Sequence, residues 1–136
     1  MRIEARNLDK HFRKVHAVQD LSFTVEPGRV TGFLGPNGSG KSTTMRLMLG
    51  LDNGGGETLF DGQKLTSHSP VSRTVGAHLD AKFFHPKRSA YSHLRMLGAE
   101  AGISKDRVNE VLKLVGLETV AKKRPGGFSL GMGQRL

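Results

Sequence analysis

Apolar and polar residues alternate along Ile3-Glu4-Ala5-Arg6 and again along Leu21-Ser22-Phe23-Thr24-Val25-Glu26. A period of two places the apolar side chains on one face of an extended chain, so both stretches predict half-buried strands. The polar segment Lys10 to His16 predicts a loop between them, and Glu26-Pro27-Gly28 predicts a turn, because proline presets φ and glycine accepts a positive one. Val30 to Leu34 is a short apolar run and predicts a buried strand. Beyond it, Met45, Leu47, Met48, Leu49 and Leu51 are dense enough to predict a helix buried around most of its circumference and ending near Gly50. Asp52 to Gly56 predicts a flexible turn, Glu57 to Asp61 with Gly62 a short strand entering a hairpin, and Thr74 to Leu79 another buried strand. Tyr91, Leu94, Leu97 and Ala101, then Val108, Val111, Leu112 and Val115, recur at helical spacing. With Ser104 as an N-cap they predict two amphipathic helices over residues 89–116, before Pro125-Gly126-Gly127 breaks the pattern. Strands, then a strand–loop–helix unit, then a helical section predict an α/β protein.

Composition narrows the possibilities. A length of 136 residues allows one domain or part of one. The absence of cysteine excludes a disulfide framework, thiol catalysis and cysteine-ligated metal, and agrees with a reducing compartment. No apolar run approaches the roughly 18 residues that span a bilayer, and the first ten residues lack a signal-peptide core. A formal net charge of +9 favours anionic partners without naming one. The basic runs around Lys10, Lys82 and Lys122 lie far apart and carry no recognition-module signature, so nucleic acid is not the expected partner. The six histidines show no i, i+4 pair and no H-E-x-x-H, so a structural metal site is not expected either, and Tyr91, Met96 and the methionines of 45–48 read as core filling.

The strongest chemical signal is Gly35-Pro36-Asn37-Gly38-Ser39-Gly40-Lys41-Ser42, which fits G-x-x-x-x-G-K-[ST] between a predicted strand and a predicted helix. A triphosphate has to be wrapped by successive backbone N–H groups, which demands glycine where a Cβ would clash, and the following helix N-terminus adds partial positive charge. Lys41 supplies a full charge to the β- and γ-phosphates, the Ser42 hydroxyl can ligate Mg²⁺, and Thr43 reaches the α-phosphate end. Nucleotide binding follows, but the loop alone does not choose ATP over GTP.

Taken with LSFTVEPGRV before it and FSLGMGQRL at the far end, this loop resembles the ATP-binding subunit of ABC transporters, over Met1 to Leu136. The resemblance implies an α/β P-loop NTPase of ABC ATPase type, with an N-terminal antiparallel β part (1–30 and 57–62), a phosphate-loop unit (30–51) and a helical subdomain (82–136) ending in the signature. The family's L-S-G-G-Q signature falls on Phe128, Ser129, Leu130, Gly131 and Met132, followed by Gly133 and Gln134; the SLGM form is similar to that of bacterial drug and peptide-antibiotic exporters. What the resemblance implies is a nucleotide site made of Phe12 stacking on adenine, Val18 in the same pocket, and Gly35, Pro36, Asn37, Gly38, Ser39, Gly40, Lys41, Ser42 and Thr43 around Mg-ATP. Ser129, Leu130, Gly131, Met132 and Gln134 would face ATP held by a second subunit in a head-to-tail dimer. Asp80 falls where the family has a Gln that touches Mg²⁺ or the attacking water and begins the permease-facing loop, or, in a weaker match, at the Mg²⁺ aspartate of a Walker B strand. The expected function is ATP binding and hydrolysis that energises export by a separate membrane permease, with the ATPase cytoplasmic and peripheral on the inner face of the membrane. A soluble ABC-type or other P-loop NTPase acting on nucleic acid or ribosomes is the alternative. The family's Asp-Glu strand and switch histidine do not occur within 1–136, so the chain is expected to be the front part of its domain, ending one or two residues into the helix that the signature caps, and of doubtful activity alone.

Overall fold

The computed structural model describes residues 1–79 and 84–136, in two compact units, Met1–Val71 and Ser72–Leu136. The first unit is built on an antiparallel sheet with strand order β2-β1-β3-β4, formed by β1 (Ile3–Phe12), β2 (Val15–Val25), β3 (Gly55–Phe60) and β4 (Gln63–Lys64). The predicted alternation holds in β2, where Leu21, Phe23 and Val25 are half-buried and Ser22 and Thr24 exposed; in β1 an irregularity between Ala5 and Leu8 breaks the period, and both are buried with Val18 and with Leu47 of helix α1 (Lys41–Met48). The expected loop Lys10 to His16 is instead the end of a hairpin: β1 continues through Phe12, β2 starts at Val15, and His11 pairs with His16. Polar residues misled the reading there because both faces of this strand end meet water, leaving no apolar alternation to detect.

The Asp52–Gly56 segment is tighter than a flexible turn. Gly55 and Gly56 belong to β3, and a Cβ on Gly56 would lie 2.3 Å from the carbonyl oxygens of Arg6 and Asn7. Glycine is required there by close approach of β1. Arg46 grips Asp52 through two 2.9 Å hydrogen bonds, which hold the Asp52 carboxyl below its ordinary pKa and pin the exit of α1. The Asp61-Gly62 turn, with both φ values positive at 48° and 78°, closes the predicted β3–β4 hairpin.

Helix α1 ends as predicted. The Gly50 amide donates to the Leu47 carbonyl and the Leu51 amide to the Arg46 carbonyl, with Gly50 at φ 67°, a Schellman termination. Its burial is narrower than predicted, with Thr44 and Leu47 alone buried and Leu51 exposed, because the helix packs on one face of the sheet. Val30 to Leu34 and Thr74 to Leu79 form no strand among the described residues; Val30 and Leu34 are fully exposed, and Thr74 closes a one-turn helix, α2 (Val71–Thr74). Apolar runs state what a side chain favours, whereas a strand needs a ladder partner, and the four-stranded sheet includes neither segment.

The second unit packs α3 (Ala90–Glu100), α4 (Lys105–Leu114) and α5 (Leu130–Arg135) around Ala90, Val108, Leu112 and Leu117. Ser89 and Ser104 cap α3 and α4 by accepting the amides of Ser92 and Arg107. Of the predicted stripe, Tyr91 and Leu94 pack against this cluster and Ala101 is buried, whereas Leu97 is exposed and His93 is buried instead; Met96 is also exposed, so it is not core filling. Leu117 is wholly buried beyond the Gly116 termination of α4. Truncation to Leu117→Ala should destabilise this unit by about 2–5 kcal/mol, read as a lower denaturation midpoint; an unchanged midpoint would contradict the packing described.

Candidate phosphate-binding site

Residues 35–40 run from Phe33-Leu34 into the first turn of α1, and their geometry is set by two contacts at the loop's base. Gly40 is the N-cap of α1 at φ 84°, and a Cβ there would stand 2.2 Å from the Ala17 carbonyl oxygen of β2. Only glycine combines that left-handed backbone with that proximity. Beneath it, buried Thr44 donates from Oγ1 to the Gly40 carbonyl at 3.0 Å, and the Thr44 amide donates to the same carbonyl at 2.8 Å. These contacts fix where the helix begins. Thr44, two positions past the motif, and Ala17, through its backbone alone, were not legible as site residues; the nearest signal was a small polar residue one turn from Gly40.

A glycine N-cap supplies no side-chain acceptor, so the amides of Lys41, Ser42 and Thr43 at the head of α1 have no side-chain cap. They converge with the helix dipole on the mouth of the loop. Lys41 folds back over the loop, its ammonium donating to the carbonyls of Gly35 at 2.7 Å and Pro36 at 2.6 Å. Ser42 is exposed beside it, as are Gly35 to Ser39. A cation at the loop beside the side-chain-uncapped head of a helix suits an anion of several oxygens, and the exposed Ser42 hydroxyl is free to join a hard cation's shell. A cavity of about 410 Å³ beside the loop is lined by Val18, Phe33, Leu34, Gly35, Lys41 and Thr44, among others.

Val18 lines the cavity beside the loop, and Phe12 lies at the end of the same hairpin. Val18 is buried beneath the loop in the sheet core, whereas Phe12 lies at the hairpin end, 48 % exposed, with the Lys10 ammonium 4.9 Å from its ring centroid. In the hairpin register Phe12 pairs with Val15 and Val18 with Lys10, two residues before Phe12 on β1. Asp80 lies outside the described residues. In the second unit, Ser129 is the N-cap of α5 and accepts the Met132 amide at 3.3 Å. The helix therefore begins within the signature, at Leu130, and not after it; Leu130, Gly131 and Gln134 are exposed, and Met132 packs inward.

A lysine presented by a glycine loop at the head of a helix that packs on a β-sheet defines a P-loop nucleotide-binding fold. The sequence pattern of the family described as ABC transporter matches residues 18–136, and the chain belongs to that family. It is similar to the uncharacterized ABC transporter ATP-binding protein YhcH of Bacillus subtilis strain 168, at 37 % identity over 98 % of this chain and 45 % of the relative. The bacitracin transport ATP-binding protein BcrA of Bacillus licheniformis is 35 % identical over the same shares, 98 % and 45 %. The sulfate/thiosulfate import ATP-binding protein CysA of Neisseria meningitidis serogroup A is 34 % identical over 100 % of this chain and 41 % of its own length. Among solved structures, an ATP-binding subunit of an ABC transporter has the same fold with a TM-score of 0.79 at 23 % identity, over 99 % of this chain and 59 % of that one. The chain thus spans less than half the length of these three curated relatives.

Proposed function

We propose that this chain binds Mg-ATP through residues 35–43 and belongs to an ATPase that energises a separate membrane permease. The observation that carries the reading is the loop itself, with Gly40 held against Ala17, the Lys41 ammonium on the Gly35 and Pro36 carbonyls, and the head of α1 without a side-chain cap. On binding, Lys41 would exchange the Gly35 and Pro36 carbonyls for phosphate oxygens, the amides of Lys41 to Thr43 would take others, and the Ser42 hydroxyl would hold Mg²⁺. When bound there, the ion would offset the negative charge of the phosphates. Phe12, exposed at its strand end, offers a π-face for adenine; Val18 supports the loop from below. Residues 82–136 act as the helical subdomain, and Ser129 with the exposed start of α5 addresses nucleotide on a second subunit in a head-to-tail dimer. The protein then works at the inner face of the membrane, held there by its permease.

Export is the direction we favour, supported by the SLGM form of the signature and by the bacitracin transport relative; the sulfate import relative of similar identity leaves the permease to set direction and substrate. The test is equilibrium binding of a fluorescent ATP analogue in the presence of Mg²⁺. Saturable binding displaced by ATP, weakened about tenfold in Phe12→Ala through lost stacking, is expected. Absence of saturable binding contradicts the reading, and an unaltered affinity in Phe12→Ala removes that residue from it.

A further inference from the structure

The β1–β2 hairpin carries a second group of chemistry-bearing side chains. Asp9 and His11 are two residues apart on β1 and so share a face, and His16 lies directly across the ladder from His11. The result is a convergent set: His16 Nε2 is 2.7 Å from Asp9 Oδ2, and His11 Nε2 is 3.6 Å from Asp9 Oδ1. The two imidazoles stack with centroids 3.7 Å apart and an interplanar angle of 20°. All three donor atoms lie within 4.8 Å of one another, the one such His, Asp or Glu grouping among the described residues.

We propose that Asp9, His11 and His16 form a binding site for a divalent transition-metal ion of zinc type. Two imidazole nitrogens and a carboxylate oxygen are the donor set that suits a borderline ion, with a fourth position left to water. Ligand atoms bound at about 2.0–2.2 Å in a tetrahedron are separated by roughly 3.3–3.6 Å. The present separations bracket that range, and the side chains, 58 %, 31 % and 35 % exposed for His11, His16 and Asp9, can rotate to close the difference. Asp9 Oδ2 also accepts the Asp20 amide at 3.4 Å, an outer contact that orients the carboxylate. Such an ion would bridge β1 and β2 just before the Arg13-Lys14 turn. The donors are distinct from the phosphate loop, so the site stands whether or not nucleotide binds there.

The test is a Zn²⁺ titration of the untagged protein against a chromophoric chelator, together with the absorption spectrum of its Co²⁺ form. One equivalent of Zn²⁺, an intense low-coordinate Co²⁺ band, and a loss of affinity of about tenfold or more in both His11→Ala and His16→Ala are expected, with His85→Ala unchanged. The Co²⁺ band of the unsubstituted protein stands as evidence even if a variant misfolds. Failure to bind one equivalent, a weak octahedral Co²⁺ spectrum, or less than a tenfold change in either folded variant would overturn the proposal.

Discussion

Lys41→Ala should weaken Mg-ATP binding about a hundredfold, or ~3 kcal/mol, with little effect on stability. The Lys41 ammonium has two neutral acceptors at present, the carbonyls of Gly35 and Pro36, both on an exposed loop. Removing it leaves those carbonyls to water at small cost to the fold. The polyphosphate, in contrast, loses a charge-assisted contact and the only full positive charge carried by the loop and the first turn of α1. Lys41→Arg should restore part of the loss, since it keeps the charge but replaces a compact ammonium by a planar fork. Calorimetric titration of the three proteins, beside their thermal midpoints, measures both quantities. An affinity within a few-fold of the unsubstituted chain would mean that Lys41 remains on its carbonyls and does not meet the ligand.

Gly40→Ala should abolish nucleotide binding and destabilise the first unit by more than about 2 kcal/mol, a much larger effect than Gly38→Ala. Both glycines are left-handed, at φ 84° and 85°, so both substitutions carry a backbone cost of roughly 1–2 kcal/mol. At Gly38 nothing lies within 4 Å of the added carbon, whereas at Gly40 it would meet the Ala17 carbonyl oxygen at 2.2 Å. A backbone oxygen cannot swing aside, so either β2 or the start of α1 must move, and with it the alignment of the Lys41 to Thr43 amides. Denaturant unfolding and nucleotide titration of the pair separate conformational strain from collision. Equal effects in the two variants would contradict the assigned contact.

The phosphate loop was legible because its chemistry constrains residue type at fixed positions: Gly40, Lys41 and Ser42 occupy the head of α1 as their spacing requires. Helix boundaries in the second unit were legible for a similar local reason, since Ser104 and Gly116 punctuate α4 at its two ends. What depends on partners was not. Val30 to Leu34 reads as a buried strand from its apolar side chains, yet it joins no ladder among the described residues. Register assembles the Asp9, His11 and His16 group, which a search for helical histidine spacing passes over.

The most direct measurement is the backbone amide NMR spectrum of the protein titrated with Mg-ATP. The account predicts saturable shifts that are largest at Gly38, Gly40, Lys41, Ser42 and Thr43, with smaller ones at Phe12, and none at those positions in Lys41→Ala at the same ligand concentration. Shifts that spare residues 35–43, or that persist unchanged in Lys41→Ala, would contradict the claim that this loop is where the nucleotide binds.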